Sequence, residues 1–196
     1  IRTIEERDIR VVACMNSDVI DAYPDVAEAV LNAGWEFQGH GKLQKSMPED
    51  EEEEIINISL ERMRSFSGQS VRGWIGPGLK ESTKTPELLK AAGIDYISDW
   101  GVIDDQPVWM RTDEGPVVVV PYTVELNDAY IYHIGQHGPD EQYNRMRDMV
   151  AGLEPELVNS PKVLSMSCHH YLMGQAHRAH WVGRMLDHLL ERQDTI

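Results

Sequence analysis

Five groups of residues in this 196-residue chain are of types that can do chemistry. His169 and His170 follow the apolar run Val163–Met166. A histidine delivered by a strand can act as general acid or base, or bind a metal. His40 stands just before Gly41, with Gln44 four residues on. Ligands at i and i+4 can face one site, although an amide is a poor transition-metal ligand. Arg72, Trp74 and Pro77 lie in VRGWIGPGL, where a guanidinium can clamp a carboxylate and the Gly-Pro-Gly turn lets backbone approach a ligand closely. Asp99-Trp100 pairs an acid that could orient a histidine with an aromatic that could wall a pocket. Tyr122, Glu125 and Asn127 offer a phenol, a carboxylate and an amide for recognising a polar substrate. Each group also has a plain structural reading: a satisfied core histidine, a salt bridge beside a tight turn, a capping Asp, ordinary loop polarity.

Positioning these residues requires elements that end where they stand. Strands are predicted over Ile9–Met15, Trp35–Gln38, Val71–Ile75, Asp95–Ser98 and Val163–Met166, with Val108–Met110 and Val117–Val120 flanking the turn Asp113-Glu114-Gly115 as a side hairpin. A helix over Ser17–Ala33, interrupted near Pro24, stops at Gly34. Ser46-Met47-Pro48-Glu49 has capping-box spacing for a second helix, which Gly68 closes. The acidic run Glu49–Glu54 reads as the solvated face of its first turns. Further helices are predicted from Thr85 to Gly93, over Pro139–Leu153 and over Val182–Leu190. This alternation means an α/β fold with a mainly parallel sheet, in which ligands bind at the carboxyl ends of the strands.

Composition narrows the function. The net charge is −15, from 33 acidic against 18 basic residues, which argues against a phosphate-binding nucleic-acid protein and against an anionic membrane surface. No apolar run approaches the roughly 18 residues of a membrane span, and no secretion signal is visible. Cys14 and Cys168 make no disulfide framework and sit in apolar runs, so buried, inert thiols and a reducing, cytoplasmic setting are expected. There is no GxSxG, Walker A or GxGxxG motif. The chain opens on Ile1 and enters a strand within ten residues. It is read as one domain over 1–196, processed or truncated, with an early strand missing.

In order, GWEFQGHG, VRGWIGPGL, AAGIDYISDW, VVVPYTVELND and LSMSCHHYLMGQAHR resemble the polysaccharide deacetylase (NodB-homology) superfamily, most of all its allantoinase-like and cyclic-imidase-like branch. The resemblance implies a distorted (β/α) barrel of about seven parallel strands and hydrolysis of a C–N amide bond by water. It also implies, in metal-dependent members, a divalent ion, zinc first, held by an Asp and two His. Carried over, His40 would be a metal ligand, Arg72 would orient the base carboxylate, Asp99 would tune the strand histidine, and His169 would protonate the leaving group. Trp74, Pro77, Trp100, Tyr122, Glu125 and Asn127 would meet the substrate. Gln44 stands where the second metal-site histidine is usual, and His169-His170 replaces His-Pro. Metal-free ring opening therefore stays open beside the zinc mechanism. The expected substrate is a small cyclic ureide or imide, or an N-acyl group. The alternatives are a non-catalytic small-molecule-binding barrel and a carbohydrate N-deacetylase. Association into a homo-oligomer is expected from related folds.

Overall fold

The computed structural model describes residues 1–101 and 105–192. The first half runs α1 (Arg2–Glu5), β1 (Val12–Met15), α2 (Val19–Ala22), α3 (Pro24–Asn32), β2 (Glu36–Gly39), α4 (Glu52–Ser67), β3 (Gly73–Trp74) and α5 (Thr85–Ala91). Then come β4 (Tyr96–Gly101), β5 (Val108–Met110), β6 (Val117–Pro121), α6 (Glu141–Leu157), α7 (His170–Met173) and α8 (Ala179–Leu190). Two compact units result. One holds residues 10–101 and 107–121, the other residues 2–9, 105–106 and 122–192.

The first unit is a sheet in the order β1-β2-β3-β4-β6-β5. All neighbours are parallel except β5, which pairs antiparallel with β6 as the expected side hairpin. The register runs Cys14↔Gln38, Gln38↔Gly73, Gly73↔Tyr96 and Ile97↔Val119. Phe37, Ile56, Leu60, Met63, Trp74, Leu89 and Ile97 form its core and are fully buried. Fully burying one such side chain stabilises by about 1.5–3 kcal/mol. The Trp74 ring packs against Gly39, where an added Cβ would come within 2.5 Å of it. The long helix α4 ends on Gly68 at φ 69°, a conformation that favours glycine.

The predicted break at Pro24 is real. Tyr23 leaves the helical region (φ −140°, ψ 63°), as the residue before a proline prefers, and Pro24 restarts the chain as α3. Three expectations are corrected. The helix predicted from Ser46 begins at Glu52, and Glu52 is buried rather than solvated. Its carboxylate accepts hydrogen bonds from Ser82 Oγ (2.6 Å) and Thr85 Oγ1, tying the start of α4 to the start of α5. Cys14 and Cys168 are exposed residues, Cys14 because β1 is the edge of the described sheet. Val163–Met166 forms no ladder among the described residues, whose sheet has six strands. Its N–H groups are taken singly, Val163 by Asp105 O and Ser165 by Thr123 Oγ1.

The second unit has its own core of Leu126, Ile131, Tyr132, Met146, Leu172, Met173 and Met185. One parallel bridge, Asn127↔Ser167, is its strand-like feature. Arg7 of α1 pairs with Asp187 of α8 through two hydrogen bonds of 2.7 and 2.8 Å.

Candidate active site

In the second unit, the Asn127↔Ser167 bridge sets two short segments side by side. Gln142, fully buried on α6, fastens both, donating to Leu126 O (2.7 Å) and Ser167 O (2.9 Å). The Tyr122 hydroxyl accepts from Asn127 Nδ2 (2.7 Å) and from Ser167 Oγ (2.8 Å). Tyr122 and Asn127, expected to recognise substrate, are therefore buried and brace the bridge from below. Glu125 is exposed, and Arg145 approaches its backbone carbonyl.

The bridge brings Asp128 to His169. Asp128 Oδ1 lies 2.6 Å from His169 Nδ1, and Asp128 Oδ2 accepts from the His169 backbone N–H at 2.6 Å. A carboxylate can only accept, so Nδ1 carries the ring proton and the lone pair is on Nε2. Asp128 has no exposed surface, whereas the His169 side chain keeps 37% of its own. Asp128 occupies the N-cap position of the helical turn Ala129–Ile134 but makes no cap with its side chain. Both oxygens go to residue 169 instead. This is the geometry of an imidazole with a fixed tautomer and an outer nitrogen able to exchange protons. Asp128 was not singled out in the sequence. The available signal was an Asn-Asp pair directly after a buried strand. His170 is exposed, its ring stacked edge-on against Tyr171.

In the first unit, polar groups gather at the carboxyl edge of the sheet. His40 follows β2; its Nδ1 donates to Ile75 O at 2.7 Å, and Asn16 Nδ2 donates to its carbonyl. Gln38 joins strands across the sheet, accepting from Cys14 Sγ (2.7 Å) and donating to Ser98 Oγ (2.9 Å). Asp99 lies within β4, buried, with Oδ2 on the Gly76 N–H. Glu81 meets Asp99 and also accepts from Trp100 Nε1. Burial, and then the charge of Asp99, push the Glu81 carboxyl up to about 10, and burial raises Asp99 as well. Trp100 is 43% exposed, and Pro77 packs on Gly41.

Several assignments change. The carboxylate that orients His169 is Asp128, not Asp99. Asp99 is drawn inward by the Gly76 N–H and by Glu81. Arg72 precedes β3 and so stands at the amino ends of the strands. Its Nε donates to Asp95 at 2.6 Å, next to Lys90, on an exposed surface. The Asp95 it pairs with is held below the usual carboxylate range by those two cations. Trp74 belongs to the core rather than to a ligand wall.

A zinc ion takes about four N, S or O ligands. Among the described residues no three His, Cys, Asp or Glu side chains come together to hold an ion. His40 offers one imidazole, and Gln44 is an exposed amide in a bend. The described residues do not fit a zinc centre.

Residues 1–97 match the family model described as polysaccharide deacetylase. The chain is 25% identical over 193 residues to a polysaccharide deacetylase-type protein of Schizosaccharomyces pombe, covering 89% of this chain and 60% of that protein. It is 23% identical over 145 residues to the peptidoglycan deacetylase of Helicobacter pylori, covering 72% of this chain and 44% of that protein. Among solved structures, the Puue allantoinase matches with a TM-score of 0.89 at 24% identity, over 99% of this chain and 66% of that chain. The structural likeness shows the fold. The chain spans about three-fifths of the S. pombe relative and less than half of the H. pylori enzyme.

Proposed function

We propose that this chain, which belongs to the polysaccharide deacetylase superfamily, hydrolyses a non-peptide C–N bond in a small polar molecule, a cyclic ureide or imide, with His169 as its proton-transfer group. One observation carries this reading. A fully buried Asp128 binds both the ring Nδ1 and the backbone N–H of a partly exposed His169. Comparison with an allantoinase and a peptidoglycan deacetylase supports C–N hydrolysis as the reaction class.

The chemistry follows from the tautomer. His169 Nε2 takes a proton from a water as its oxygen attacks the carbonyl carbon. The imidazolium that forms faces the Asp128 carboxylate, which stabilises it. Collapse of the tetrahedral adduct breaks the C–N bond, and Nε2–H delivers the same proton to the departing nitrogen. Water is consumed; a carboxyl group and an N–H are produced. Such a positioned group contributes about 10²–10⁴ in rate. Asp128 contributes by holding the ring, not by touching substrate.

The test uses the full-length protein with a cyclic ureide, a cyclic imide and an N-acetylated oligosaccharide, followed by NMR of the products. Ring-opened product from either cyclic compound is the expected result. Acetate release alone selects the carbohydrate deacetylase. Saturable binding without product selects a non-catalytic binding barrel, the alternative favoured by the lack of a metal donor set among the described residues.

A further inference from the structure

Glu81 stands outside every role assigned so far, yet it touches two residues at the carboxyl edge of the sheet. Its Oε2 accepts from the indole N–H of Trp100, and its carboxyl group meets that of Asp99. Asp99 in turn uses Oδ2 on the Gly76 N–H. The remaining oxygens, Glu81 Oε1 and Asp99 Oδ1, are both buried and receive no donor from any described residue. Buried acceptors without a donor are costly, and two neighbouring carboxyl groups relieve that cost when one of them carries a proton. A single proton between them satisfies both.

The surroundings enforce this meeting. An added Cβ on Gly76 would come within 2.9 Å of Asp99 Oδ2, 3.1 Å of Glu81 Cγ and 2.6 Å of Lys80 O. The two side chains therefore converge over a position that only glycine leaves open. The charged groups bearing on Glu81 are acidic: Asp99 from β4 and, more weakly, Glu52 from α4. On the other side, Cys14 of β1 feels the Asp99 charge. Like charges and burial both disfavour a second ionisation.

We propose that Glu81 and Asp99 share one proton and form a latch that holds the exposed Trp100 ring and the Gly76–Glu81 segment in place. Glu81 is a positioning residue: it acts through Trp100. The part of this inference that gives the Trp100 ring a ligand to meet rests on the reading of that ring as a pocket wall; the shared proton does not.

The shared proton is directly observable in the full-length protein. Carboxyl ¹³C NMR, with Glu81→Gln as the assignment control, reports ionisation. The indole N–H resonance of Trp100, assigned with Trp100→Phe, reports the anchor. The latch predicts a neutral Glu81 carboxyl at pH 7 that ionises only in alkali, with the Trp100 indole resonance moving over the same pH range. In Glu81→Gln, whose amide can donate to Asp99 and accept from Trp100, the indole resonance keeps its position and no longer titrates. An ionised Glu81 at pH 7, or an indole resonance indifferent to the titration, overturns the latch. The wild-type titration alone decides the matter if Glu81→Gln fails to fold. These readouts need no substrate, so failure of the latch and failure of the proposed hydrolysis are separately visible.

Discussion

The two units treat their carboxylates differently. At the sheet edge of the first, Asp99 and Glu81 turn toward each other and toward neighbouring N–H groups, and the cluster closes on itself. In the second, Asp128 is fully buried and gives both oxygens to one residue, and the imidazole it holds remains partly exposed. Burial of an acid thus has two outcomes. It can lock backbone and an aromatic ring in place, or it can present a reactive group with a fixed tautomer. Position at the end of a strand does not decide between them; the partner does.

The sharpest way to break this contrast is Asp128→Asn. The amide disturbs the ring tautomer and faces two N–H donors with one acceptor. Turnover should fall by about 10²–10⁴, with a loss of about 1–3 kcal/mol in denaturant unfolding. Wild-type turnover in Asp128→Asn would put the two acids in the same class. In the first unit, Gly76→Ala should cost about 1–3 kcal/mol, because the methyl group meets Lys80 O and Asp99 at close range; thermal unfolding measures it.

Glu81→Gln should show an effect that depends on pH. Glu81 is raised from 4.5 to about 10 in the folded state, so the folded protein binds the proton more tightly than the unfolded chain. Its contribution is fully present below the unfolded value and is lost as pH rises toward the folded one. The variant has no proton to lose. Its melting temperature relative to wild type should therefore climb between about pH 5 and pH 10. A difference that is flat with pH would show that Glu81 is ionised in the fold. The smallest effect belongs to Arg72→Ala. The Arg72–Asp95 pair is exposed at the amino ends of the strands, so neither turnover nor the melting temperature should move.

Much of the fold was legible because strand and helix periods alternate cleanly and the punctuation is strong. Pro24, Gly34 and Gly68 break or end helices where expected, and β5 returns as the side hairpin. The errors have physical causes. Val163–Met166 is apolar enough for a strand, but side-chain and loop acceptors take its N–H groups one at a time. Arg72 lies at the start of the predicted strand Val71–Ile75 and just before the observed ladder, which begins at Gly73, so both place the arginine at the amino ends of the strands and not at the ligand edge. Glu52 looked like one of six solvated acids, and only the fold brings Ser82 and Thr85 to it.

At the site, His169 was legible because a histidine after an apolar run is conspicuous. Its partner was not, since Asp128 lies 41 residues earlier and the pairing depends on one two-residue bridge. Glu81 was missed for the same reason: its meaning lies in Asp99 and Trp100, which sequence spacing does not connect.

The central claim is that His169 moves the proton. The most direct test compares wild type and His169→Ala in the full-length protein, measuring kcat on the cyclic substrate that wild type opens, together with the melting temperature. The account predicts a loss of about 10²–10⁴ in kcat in a protein that still unfolds cooperatively, with a lowered melting temperature because the buried Asp128 Oδ1 loses its donor. A His169→Ala protein that turns over at the wild-type rate would contradict it.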